Sequence, residues 1–122
     1  MAGGTQVVST IPAPVRTPAV ASHKRAAITG AAAGLDTFIS GGIPTINGRR
    51  PDAVYIGLEA GSASTYVTWD GQSTPSATLG FLLPVQPSYL YLPMASEIQD
   101  GVIKVFASAG TIYAQCKFEW LT

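Results

Sequence analysis

Over residues 112–120 every second residue is apolar: Ile112, Ala114, Cys116, Phe118 and Trp120 alternate with Tyr113, Gln115, Lys117 and Glu119. A repeat of two puts successive side chains on opposite faces of an extended chain, so this stretch predicts a long strand with one buried and one wet face. Residues 102–107 form a second extended run, and Ser108-Ala109-Gly110 between them reads as the turn of a hairpin. The same alternation sets Val54, Ile56 and Leu58 against Tyr55, Gly57 and Glu59, and Thr65, Val67 and Trp69 against Tyr66, Thr68 and Asp70. Shorter strands are expected over 80–83 and 88–92, where Pro84, Pro87 and Pro93 impose edge or boundary positions because proline cannot donate to a ladder. Tyr89 and Tyr91 alternate there with Leu90 and Leu92, so one of the two pairs faces outward, and the pattern leaves open which.

Ahead of Asp52 the pattern weakens. Gly30 and Gly34 bracket Ala31–Ala33 too closely for a stable helix, which leaves short strands near 25–29 and 37–40. Asn47-Gly48 is a strong tight-turn signal, and Asp70-Gly71 and Gly80 call for turn geometry of their own. Pro12, Pro14 and Pro18 recur among valines and threonines in the first 22 residues, favouring an extended arm. Two readings of this arm stand side by side: a disordered tail, or a segment that orders on a neighbouring subunit. The expected fold is therefore all-β, an antiparallel β-sandwich or small barrel, with an arm over 1–22 and a domain over 23–122. There is no internal repeat.

Composition narrows the function classes. Among 122 residues, seven basic and seven acidic side chains cancel, so no long-range field favours nucleic acid or an acidic membrane. Hydrophobic residues make up 47% of so small a chain, more than its own core can hide, and the surplus points to a partner surface. No apolar run approaches a bilayer span, and the first residues lack the pattern of a signal peptide.

Candidate chemistry is sparse. A single cysteine, Cys116, lies on the apolar face of the last strand and reads as a small buried hydrophobe. The one histidine, His23, stands beside Lys24 and Arg25 and reads as a solvated edge residue. Asp52, Asp70 and Asp100 fall at turns, where aspartate accepts backbone hydrogen bonds. The acidic residues lack calcium-loop spacing, and nothing proposes a hydrolytic carboxylate pair. Gly30-Ala-Ala-Ala-Gly34 lacks the ending of a phosphate loop. The expectation is a non-enzyme without catalytic, cofactor-binding or metal-binding residues. Arg49-Arg50 is expected to serve solubility or a salt bridge to a neighbour, and Trp69, Tyr66, Tyr89, Tyr91 and Tyr113 are candidates for an interface or a sugar-stacking platform.

The run Tyr66-Val67-Thr68-Trp69-Asp70-Gly71-Gln72-Ser73-Thr74-Pro75-Ser76-Ala77-Thr78-Leu79-Gly80 resembles a pattern of small virion β-sandwich proteins of tailed bacteriophages. Leu90-Tyr91-Leu92, Ile103-Lys104-Val105 and Ala114-Gln115-Cys116-Lys117-Phe118 extend the resemblance over residues 54–121. The arm in front departs from that pattern and suits a clasp on a capsid surface better than a free-standing tail module. The resemblance implies a capsid decoration or cement protein at the capsid surface of the virion, synthesised in the host cytoplasm. Its expected partner is the major capsid protein, with self-association as a trimer or dimer and without nucleic acid or membrane. Expected interface residues are Val7, Val8, Ile11, Pro12, Pro14, Val15, Val20, Arg49, Arg50, Tyr89 and Tyr91. The alternatives are a head–tail or tail/baseplate accessory subunit and a carbohydrate-binding module.

Overall fold

The computed structural model describes residues 18–60 and 63–121. Eight strands run in the order β1 (Pro18–Ile28), β2 (Ala33–Gly34), β3 (Ala53–Leu58), β4 (Thr65–Thr68), β5 (Phe81–Leu82), β6 (Leu90–Pro93), β7 (Lys104–Ala107) and β8 (Ile112–Leu121). They form two antiparallel four-stranded sheets, β1-β8-β3-β6 and β2-β7-β4-β5, packed as an open sandwich rather than a closed barrel. The all-β expectation holds.

The period-two positions build the core as expected. Val54, Ile56 and Leu58 of β3, with Ala114, Cys116 and Phe118 of β8, are buried on the inner side of the first sheet. Val67 of β4 with Val105 and Ala107 of β7 line the second sheet, and Leu35, Leu83, Ile98 and Ile103 join the same cluster from the connections. At roughly 25 cal/mol per Å² of apolar surface removed from water, this interdigitated layer is the main stabilising term.

Three expectations are corrected. The runs expected to form the final hairpin lie in different sheets: β7 pairs with β2 and β4, β8 with β1 and β3. Ser108-Ala109-Gly110 is therefore an arch between sheets, which lets Ala107 and Ile112 both point into the core. The strand expected near 37–40 is instead a 3-10 turn over Leu35–Phe38. Buried Leu35 anchors it by donating its N–H to the Ile103 carbonyl at 2.7 Å, while Asp36 Oδ1 accepts the Gly101 N–H at 2.9 Å. Ile39 then makes a single bridge to Ala26. The strand expected near 25–29 begins at Pro18, so it crosses the arm–domain boundary placed at Ser22.

Turns behave as their residues dictate. Asn47 and Gly48 both have positive φ, 51° and 77°, and close a two-residue hairpin turn in which Ile46 and Arg49 exchange backbone hydrogen bonds at 2.9 Å. Gly80, at φ 119°, lies where a Cβ would come within 3.0 Å of the Val67 carbonyl oxygen, so the chain re-enters the second sheet only with glycine there.

Candidate functional site

The motif that carries the virion resemblance is a structural turn. Asp70 Oδ1 accepts the N–H groups of Gln72 and Ser73 at 2.9 and 2.7 Å, and Ser73 Oγ donates to Oδ2 at 2.5 Å. These donors, the Ser73 hydroxyl foremost, hold the carboxyl down at about 2. Thr68 Oγ1 donates to the Ser73 carbonyl, and Pro75 is buried, so the whole run serves to carry the chain from β4 to β5.

That passage ends on an apolar strip. Phe81 is 65% exposed, Leu82 62%, Leu79 50% and Val85 41%. Phe81 packs against Trp69 with ring centroids 4.9 Å apart, and Leu82 lies opposite Tyr66, whose ring approaches Phe106. Beside Phe81 lies an open cleft of about 240 Å³ over Val67, Trp69 and Leu79. β5 is an edge strand, so among the described residues its outer backbone groups have no ladder partner.

A second surface lies on the outer face of the first sheet. His23, Lys117, Tyr55 and Tyr91 are paired in register across β1, β8, β3 and β6, and Arg25, Gln115 and Gly57 form the neighbouring row. The outward pair left open by the alternation is Tyr89 and Tyr91, with Leu90 and Leu92 turned towards the core. Tyr55 packs against both tyrosines, with centroids 4.9 Å from Tyr89 and 4.5 Å from Tyr91. Desolvation by these neighbours raises its phenol above the ordinary value. Residues 86–89 wall an open groove of about 860 Å³ along this face.

Charges on this face are spent within the chain. Arg25 makes a bidentate ion pair with Glu59, at 2.7 and 2.8 Å, and stacks over Tyr113. Gln115 Nε2 donates to Glu59 as well; the Arg25 bond and then the Gln115 bond lower the Glu59 carboxyl. Lys117 Nζ lies 3.3 Å from Glu119, which the alternation places on the wet side but which is buried.

Of the expected interface residues, Val7, Val8, Ile11, Pro12, Pro14 and Val15 lie outside the described residues. Val20 is exposed near the start of β1, opposite Trp120. Arg49 and Arg50 work inside the chain. Arg49 pairs with buried Asp52 at 2.6 Å, and its carbonyl accepts the Trp120 indole N–H. Arg50 forks onto Asp100, whose carboxyl the contact lowers. Tyr89 lines the groove, and Tyr55 packs against both it and Tyr91. The exposed Leu79–Val85 strip was not among the expected sites. Its signal was five large apolar residues within 79–85, a segment that Gly80 and Pro84 confine to a short edge.

Cys116 is buried, and desolvation pushes its thiol up to about 12, so the reactive thiolate is strongly disfavoured. Among the described residues no group of three or more histidine, cysteine or acidic side chains could hold a metal ion. Compared with known proteins, the chain matches no family model, no curated protein and no solved structure.

Proposed function

We propose that the chain is a non-enzymatic virion structural protein, a decoration or cement protein that binds the major capsid protein lattice of a tailed bacteriophage. One observation carries the reading: four large apolar side chains, Leu79, Phe81, Leu82 and Val85, lie exposed on and beside the edge strand β5. Large apolar side chains left in water at a sheet edge favour docking against another protein. The buried thiol and the locked Glu59 carboxylate favour binding over catalysis, and the motif resemblance supplies the virion context. In this reading residues 1–17 make a second contact on adjacent capsid subunits, and the protein associates with itself as a trimer or dimer.

The mechanism is mass action. A protein that binds only the assembled shell stabilises it by the free energy of binding, and two linked contacts raise the effective affinity beyond either alone. The test is co-sedimentation with emptied capsids of the virion whose genome encodes the chain. The wild-type protein is expected to pellet with them, and Phe81→Asp with Leu82→Asp to stay in the supernatant while keeping its far-ultraviolet circular dichroism. Equal pelleting of the double variant would sink the reading. Labelling that falls on the tail rather than the head would move the protein to the head–tail or tail/baseplate class.

A further inference from the structure

The groove on the outer face of the first sheet plays no part in the edge-strip reading, and its chemistry is different. Its floor is formed by β8 and β3, the two interior strands of the sheet, whose backbone N–H and C=O groups are already paired on both sides. A peptide cannot add to it as a strand, because strand addition needs a free edge. Any occupant is held by side chains alone.

Those side chains have a particular balance. Tyr89 presents a ring 58% exposed, braced edge-on by Tyr55, and Tyr55 is itself backed by Tyr91. The charged groups are compensated: Glu59 by Arg25 and Gln115, Lys117 by Glu119. What remains to face an occupant is one open aromatic face beside uncharged donors and acceptors, with Gln86 and Ser88 on the wall and Gln115 on the floor. Gly57 contributes no side chain, which keeps the floor low between Gln115 and the wall. The register row from His23 to Tyr91 crosses four strands, about 14 Å at the usual strand spacing, so the site is an elongated trough.

We propose that this trough binds a neutral pyranose oligosaccharide, with a sugar ring stacked on Tyr89 and its hydroxyls bonded by Gln86, Ser88 and Gln115. A pyranose offers a face of C–H groups that suits the negative face of an aromatic ring, and a rim of hydroxyls that both donate and accept. Amides answer such a rim in both directions, and a braced tyrosine loses little conformational freedom on binding. A strongly charged ligand would have to break the Arg25–Glu59 or Lys117–Glu119 pair. The carboxylates at the trough are held in those pairs, so the sugar is bound without being cleaved.

The test is a titration of the isotopically labelled full chain with cellohexaose, maltoheptaose and chitohexaose, followed by amide chemical shifts. Saturable shifts with at least one of the three, centred on residues 55–59, 86, 88, 89 and 115–117, are expected. Tyr89→Ala should weaken binding about tenfold or more, whereas Tyr89→Phe, which keeps the ring, should retain it. Tyr113→Ala, on the same sheet face but outside the trough, should bind like wild type. The proposal is overturned if none of the three sugars moves these amides, or if Tyr89→Ala binds as wild type does. It is likewise overturned if the trough amides respond to capsids alone, which would make this face a protein contact. The capsid experiment addresses the Phe81–Leu82 edge, so either reading can fail without the other.

Discussion

Asp70 shows how a single exposed side chain can hold a loop. Its carboxylate gathers two backbone donors and a hydroxyl, and these lower its pKa from the ordinary 3.8 to about 2. A group whose folded-state pKa is depressed contributes stability that is complete above the unfolded value and lost as pH falls through the folded one. The Asp70 contribution is therefore present above pH 3.8 and fades between there and about 2. Asp70→Asn keeps an oxygen acceptor but not the charge. The gap in melting temperature between wild type and Asp70→Asn should be widest above about pH 4 and close towards pH 2. A gap that stays constant across that range would exclude the charge as its origin. Asp70-Gly71 was legible as a turn from residue types alone, because the turn is local and its donors lie within three residues. Glu119 was not legible: alternation places it on the wet face, and its burial depends on neighbouring strands brought in from far along the chain.

At the scale of elements, the long alternating strands after Asp52 were readable, whereas the elements before it and the connection from β7 to β8 were not. Val54–Leu58, Thr65–Trp69 and Ile112–Trp120 show a period of two that survives into the structure, because each strand has one face on the core. The Ser108-Ala109-Gly110 connection reads as a hairpin turn from its residues, yet the same three residues build an arch in the structure. Which of them forms is decided by long-range pairing, here by β1 and β3 claiming both edges of β8. The Leu79–Val85 edge and the trough arise in the same way, from segments distant in sequence. Gly57 connects one element to the trough. Replacing a strand glycine by alanine ordinarily gains about 0.5–1 kcal/mol. At Gly57, however, a Cβ would lie 3.0 Å from the Ser88 carbonyl oxygen and 3.1 Å from Gln86 Cγ. Overpacking of that kind costs about 1–3 kcal/mol, so the clash outweighs the propensity. Gly57→Ala should lower the thermal midpoint and shift the amides of Gln86, Ser88 and Tyr89; an unchanged or raised midpoint would show that the wall yields freely.

For the whole molecule, the longest ladder joins its first and last described strands. β1 and β8 are in register from Val20 with Trp120 to Ile28 with Ile112, and after a one-residue shift Pro18 pairs with Leu121. The five residues 18–22 therefore belong to the sheet, although their composition continues that of the arm. Two truncations separate these contributions. A chain starting at Pro18 keeps all of β1, whereas one starting at His23 loses the pairs of Val20, Ala21 and Ser22 with Trp120, Glu119 and Phe118. The second should melt at a clearly lower temperature than the first, as read by calorimetry of the two side by side. Equal midpoints would mean that this end of the ladder adds nothing to stability.

That ladder also dictates when the fold can form. β8 is the last described strand in chain order, yet it occupies the middle of the first sheet, with β1 on one side and β3 on the other. While the ribosome is still short of Ile112, β1 has no partner for its ladder, and Val54, Ile56 and Leu58 have lost the strand beside them. The nascent chain must therefore carry its valines and isoleucines uncovered until almost the whole sandwich has left the exit tunnel. Completing the first sheet then needs the β1–β8 ladder, whose partners lie about a hundred positions apart, a loop closure that is slow by its nature. Production of this protein is thus most exposed to self-association in the moments just after synthesis, before the final strand slides into its slot.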